Sequence, residues 1–150
     1  MATTGVDAVF VDTNILVYSK QQFSPFNAIA VARLEELISQ GAQLWTSRQV
    51  LREYLVVMSR PGGLTAPVPM TGLVQDIGEF SANFLLAEDS ASVTQELLLL
   101  LTQVAIGGKQ VHDANIAATM VAYRIPRLLT NNAGDFARFG NRITVLPLVP

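Results

Sequence analysis

The feature that most constrains this chain is a short apolar run, Val9-Phe10-Val11, that stops abruptly at Asp12-Thr13-Asn14. Three β-branched and aromatic residues are too few for a helix and fit a strand buried on both faces of a parallel sheet. Asp12 then sits at the strand's C-terminal tip, the edge at which open α/β sheets bind ligands. The competing structural reading is that Asp12 or Thr13 caps a helix beginning near Asn14.

The pattern that follows alternates helix and strand. Ser24-Pro25 reads as a helix start, with Phe26, Ile29, Ala30, Leu34, Leu37 and Ile38 at helical spacing and Gly41 as the stop. Gln43 to Thr46 forms a short strand, and Ser47 caps a helix whose stripe is Val50, Leu51, Tyr54, Leu55 and Met58. Glu53 lies at the border of that stripe, so it can point across the inner edge of the helix or into solvent. Pro61-Gly62-Gly63 ends the helix, and an irregular loop runs to Met70. A helix from Thr71 through Phe80, a strand over Phe84 to Ala87 and a helix from Ser90 to Val104 follow. Leu97 to Leu101 is apolar all the way round, which predicts burial on more than one side and a homodimer closed partly by leucine.

Gly107-Gly108-Lys109 is not a phosphate loop, because the glycine spacing is wrong and Gln110 stands where serine or threonine is required. Asp113 opens the next helix in line with Ile116, Ala117, Met120 and Val121, so it follows the core stripe; as a cap it would instead point at its own turn. Arg127-Leu128-Leu129-Thr130 then repeats the first strand's pattern and is followed by Asn131-Asn132-Ala133-Gly134-Asp135. A last strand spans Ile143 to Leu146, and Pro147 and Pro150 fit a terminus that leaves the sheet. The economical fold is α/β: one domain over residues 1–150, a parallel sheet of about five strands covered by helices on both faces with right-handed crossovers.

The C-terminal edge of such a sheet would gather Asp12 and the residues around Asp135, with Asp113 and Glu53 joining from neighbouring helices. Carboxylates this close either take up protons or are neutralised by a cation. The chain has no cysteine and one histidine, so thiol catalysis, disulfides and cysteine-ligated zinc are excluded and any metal would be held by oxygen. Magnesium or manganese is the natural cation, and such an ion suits hydrolysis of a nucleic-acid phosphodiester. The net charge of −2 carries no basic excess, yet a site that loads cations reverses its own local sign. Residues 1–5 have neither the basic nor the apolar region of a signal peptide, and no apolar run is long enough to span a bilayer. A soluble, cytoplasmic protein with no membrane partner is expected.

The order of strand-Asp12-Thr13-Asn14, helical Glu53, His112-Asp113-Ala114 and Leu129-Thr130-Asn131-Asn132 before Asp135-Phe136 resembles the PIN domain family. In length it is similar to the VapC-type toxins of bacterial toxin–antitoxin pairs. The resemblance implies a three-layer α/β/α fold with strand order 3-2-1-4-5 and a magnesium- or manganese-dependent endoribonuclease. It also implies a homodimer neutralised by a small cognate antitoxin protein. Asp12, Glu53 and Asp113 match the family's principal acids. Thr13 and Thr130 match its polar supports, with Asn14 and Asn132 as further supporting residues of this chain. Asn132 stands where many members carry an acid, and the next acid is Asp135, which implies one tightly held ion instead of two.

In this reading Asp12 and Asp113 ligate the metal and Glu53 holds or deprotonates the attacking water, with Asp135 or Asn132 assisting. Arg48, Arg52 and Arg60 contact the phosphates of the RNA substrate. A haloacid-dehalogenase-like phosphatase would need a second aspartate where Asn14 stands. A PIN-like module that binds RNA or protein without cutting is the alternative from outside catalysis.

Overall fold

A computed structural model describes residues 7–61 and 68–150. The elements run β1 (Ala8–Val11), α1 (Thr13–Lys20), α2 (Asn27–Ser39), β2 (Gln43–Ser47), α3 (Arg48–Ser59) and α4 (Met70–Asn83). They continue with β3 (Leu85–Ala87), α5 (Ala91–Gln103), α6 (Gln110–Tyr123), β4 (Arg127–Thr130), α7 (Ala133–Phe136), a 3-10 turn (Ala137–Phe139) and β5 (Thr144–Pro147). The strands form one parallel sheet in the order β3-β2-β1-β4-β5. The fold and strand order expected from the sequence are therefore those observed.

All four residues of β1 are buried, as a strand covered by helices on both faces requires. Right-handed crossovers put α1 to α4 on one face and α5 to α7 on the other, and the helices pack in those two sets, with α5 against α6 and α1 against α2 and α3. The sheet grows outward from β1 in both directions, so the crevice of an α/β sheet opens above β1 and β4. Their register sets Val11 beside Leu129, and the Asp12 amide continues the ladder by donating to the Leu129 carbonyl at 3.0 Å. That pairing brings the side chains of Asp12 and Thr130 together.

Local signals place most boundaries. Ser47 and Ser90 cap α3 and α5 by accepting from the Val50 and Val93 amides at 3.3 and 3.4 Å. Gly41, at φ +84°, closes α2 in a conformation few other residues adopt cheaply. The start of α2 is corrected: the helix begins at Asn27, because the Ser24 hydroxyl accepts from the Phe26 amide at 3.1 Å and makes a turn ahead of it. Pro147 does not leave the sheet but ends β5, an edge strand where a missing amide costs no ladder bond.

Within the α5 leucine run Leu100 is buried, whereas Leu98 and Leu99 are 57% and 51% exposed in the single chain, α6 covering one side of the helix. The Gly62-Gly63 part of the loop after α3, and residues 1–5, lie outside the described residues. Among the described residues no helix is long and apolar enough to cross a membrane.

Candidate active site

Asp12 both caps α1 and anchors the site. Its Oδ1 accepts from the Thr13 amide at 2.8 Å, and its Oδ2 accepts from the Thr130 hydroxyl at 2.7 Å and from Asn14 Nδ2 at 3.3 Å. The expected cap is therefore present, and the same side chain stands at the strand tip beside Thr130. Only 6% exposed, Asp12 has its carboxyl pushed up by burial to about 6. The Thr130 and Thr13 hydrogen bonds oppose that rise, while the nearby charges of Glu53 and Asp113 add to it. Thr130 is itself held, accepting from the Asn132 amide at 2.9 Å and from Asn14 Nδ2 at 3.4 Å.

Glu53 leans inward from α3. Its Oε2 accepts from the Thr13 hydroxyl and its Oε1 from Gln49 Nε2, each at 2.9 Å. Asp113 lies in the first turn of α6, which begins at Gln110, three residues before the start expected at Asp113 itself. Half-buried and without a hydrogen-bond partner among the described residues, its carboxyl is raised by burial first, then by Asp135 and Glu53; Arg138 and His112 hold it down.

Asp12, Glu53 and Asp113 line one cavity of about 670 Å³, together with Thr13, Asn14 and Asn132. Arg52, Arg60 and Lys109 stand on the same wall system, and Val17, Val56 and Val57 give it an apolar side. A second cavity, of about 580 Å³ under the end of α5, is lined by arginines and neutral residues without an acid. Chemistry that needs carboxylates therefore belongs to the first.

The family model of the PIN domain matches residues 9–141. This chain belongs to the PIN domain family. Solved structures with the same fold include VapBC2 from Rickettsia felis bound to a DNA fragment from its promoter. It is 22% identical at a TM-score of 0.69, covering 93% of this chain and 98% of that one. A toxin–antitoxin complex from Klebsiella pneumoniae is 21% identical at a TM-score of 0.64, covering 93% and 97%. VapC20 from Mycobacterium tuberculosis, described as a toxin cleaving the sarcin-ricin loop, is 20% identical at a TM-score of 0.61, covering 80% and 86%. No curated protein sequence matches the chain.

Within this PIN domain the three principal acids share a cavity but do not close on one point. Among the described residues no three acidic or histidine side chains are grouped tightly enough to enclose an ion. The donor set nonetheless fits a hard divalent cation. Its donors are mainly oxygen, with His112 the one imidazole on the wall; its acids have no paired lysine or arginine, and burial raises the Asp12 carboxyl, a shift that an added positive charge would oppose. Asp113, whose carboxyl accepts no hydrogen bond among the described residues, is the freest to hold such an ion; both oxygens of Asp12 and both of Glu53 already accept hydrogen bonds, so either would hold it on a remaining lone pair.

Three expected residues of the PIN domain sit differently. Asp135, exposed in α7, does not line the cavity and reaches it only through its charge on Asp113. Arg48 is also outside the cavity, its Nε and Nη2 donating to the two Glu88 carboxylate oxygens at 2.8 Å. Arg52 lines the wall yet pairs with Asp89 at 3.1 Å, an exposed ion pair weak enough to exchange for a phosphate. Arg60 lines the cavity, and so does Lys109, which the sequence reading passed over. Also unforeseen is Gln49, a buried amide one turn before Glu53. The spacing of four on one helix was the available signal, but glutamine on a helix ordinarily faces water.

Proposed function

We propose that this PIN domain is a magnesium- or manganese-dependent endoribonuclease and the toxin of a VapBC-like pair. The observation that carries the reading is the buried Asp12 carboxyl, raised to about 6 while sharing a cavity with Glu53 and Asp113. A group kept in so unfavourable a state marks a functional site more often than a structural one. The description of VapC20 as an RNA-cleaving toxin supports the substrate class, and the complexes of similar fold support a small cognate antitoxin as partner.

Asp12 and Asp113 would hold the ion, which supplies positive charge that lowers the pKa of water and neutralises a phosphodiester in its transition state. The chain's own groups do the rest. Arg60, Lys109 and, after exchange from Asp89, Arg52 hold RNA phosphates along the cavity wall. Glu53, oriented by Thr13 and Gln49, takes the proton of the attacking water on a lone pair those two bonds leave free. Water oxygen bonds to phosphorus, the bond to the leaving oxygen breaks, and solvent returns a proton to that oxygen.

Asp113→Asn should abolish manganese-dependent cleavage of RNA while the melting temperature stays at or above the parent's, since a raised carboxyl is removed. Unchanged cleavage rejects the assignment. The open spacing of the acids favours a second reading, a module that binds RNA or protein without cutting it. Manganese at about a hundred times its Kd should stabilise a true metal site by about 2.7 kcal/mol, and a flat melting curve would favour the second reading. The exposed Leu98 and Leu99 support a homodimer through α5, against which a monomeric mass in light scattering would count.

A further inference from the structure

Gln49 is 6% exposed, and its amide is fully engaged. Nε2 donates to Glu53 Oε1 and to the backbone carbonyl of His112, both at 2.9 Å, and Oε1 accepts from Asn115 Nδ2 at 2.7 Å. One amide thus joins α3 to α6 twice and grips an acid on the way. The two acceptors facing Nε2 also fix which end of the amide is nitrogen, because a flipped group would set oxygen against oxygen.

The placement matters because Glu53 and Asp113 come from helices on opposite faces of the sheet. These helices are not a packed pair: α3 rests on α1, α4 and β2, and α6 on α5 and α7. What ties them near the cavity is this side chain, bonded on one side to Glu53 and on the other to the carbonyl just before Asp113. The link is neutral. A lysine here would cancel the charge of Glu53, and a glutamate would repel it. An amide steers the carboxylate and leaves its charge available.

We propose that Gln49 is a positioning residue: it sets the gap between Glu53 and Asp113 and thereby the cavity's affinity for a divalent cation. The inference rests on the metal-dependent reading above. It goes further in assigning control of the site to a residue that touches neither RNA nor ion.

The test uses the full chain and manganese alone. Gln49→Met keeps the length of the side chain and removes both donors. Calorimetric titration should find manganese bound about 10- to 100-fold more weakly than by the parent, the scale on which groups behind a metal's ligands act. At saturating manganese the KM for RNA should stay near the parent's while the manganese needed for half-maximal cleavage rises. A merely structural role would lower the melting temperature and leave manganese affinity alone, so a folded Gln49→Met that binds within about twofold of the parent, well short of that range, overturns the proposal. If Gln49→Met does not fold, Asn115→Ala frees the other end of the amide and should weaken manganese by about threefold to tenfold, the lower part of the same range. Parental affinity in that variant overturns the proposal equally. A parent that binds no manganese, indistinguishable from Asp12→Asn, removes the metal-dependent reading and this inference with it.

Discussion

The tips of β1 and β4 carry similar sequences, Val11-Asp12-Thr13-Asn14 and Leu129-Thr130-Asn131-Asn132, and do opposite jobs. At β1 the acid is the first residue past the strand, so helices on both faces bury it and its carboxyl rises to about 6. At β4 the residue level with it is Thr130, the last of the strand, and the acid comes only at Asp135, after the chain has turned outward into α7. The β4 tip therefore contributes neutral donors: the Thr130 hydroxyl to Asp12, with the Asn131 amide fixed by Asn14 Oδ1 at 3.1 Å. One tip presents charge and the adjacent tip makes that charge bearable.

Removing the charge is the severest way to break this asymmetry. Asp12→Asn should cut manganese-dependent cleavage by at least about 10²-fold, since losing several kcal/mol of charge stabilisation costs that much. It should not cost stability at neutral pH. A carboxyl whose folded pKa lies above its unfolded 3.8 binds its proton more tightly when folded, so it stabilises the fold at low pH. That contribution, roughly 3 kcal/mol in all less what rearrangement recovers, is lost as pH rises from about 4 to about 6. Without metal, the parent should melt higher at pH 5 than at pH 7.5, and Asp12→Asn should flatten that slope. An equal slope in both proteins would show that Asp12 is not the group held above its ordinary range.

Removing the support should cost less. Thr130→Val keeps the buried shape and deletes the hydroxyl that donates to Asp12 and accepts from Asn132 and Asn14. The loss of a buried partner predicts about 1–3 kcal/mol of destabilisation. Manganese affinity should fall about tenfold, as expected of a group behind a ligand. Because the Thr130 bond lowers the Asp12 carboxyl, the stability slope should also extend to higher pH. A variant with parental manganese affinity would separate the two tips and undo the comparison.

The tips are also what the sequence reveals most readily. Short apolar runs ending in polar residues have few alternatives, so β1 and β4 follow from their residues, the strand order follows from the resemblance to the PIN domain family, and Asp113 follows because it continues a buried stripe. Glu53 is legible only as a border position, since its inward lean depends on Thr13, which arrives from α1, as well as on Gln49 one turn earlier in its own helix. The pairing of Arg48 and Arg52 with Glu88 and Asp89 is not legible, because those acids follow β3 and meet α3 only once β2 and β3 pair. The leucines of α5 are legible only in part: composition records how apolar a helix is but not which of its sides the chain itself covers.

The smallest effect belongs to the acid that most resembles Asp12 in sequence context. Asp135 acts on the cavity only as a nearby negative charge that raises the Asp113 carboxyl. Asp135→Asn should lower cleavage by less than about fivefold, because a solvated charge of this kind is worth roughly 1 kcal/mol or less. Its clearer signature has a sign. With that repulsion gone, Asp113 gives up its proton more readily, and the acidic limb of the cleavage profile should move to lower pH. Salt should shrink the move, since exposed charges are screened. A loss approaching that of Asp12→Asn would instead put Asp135 among the ligands, and the β4 tip would then carry charge in its own right.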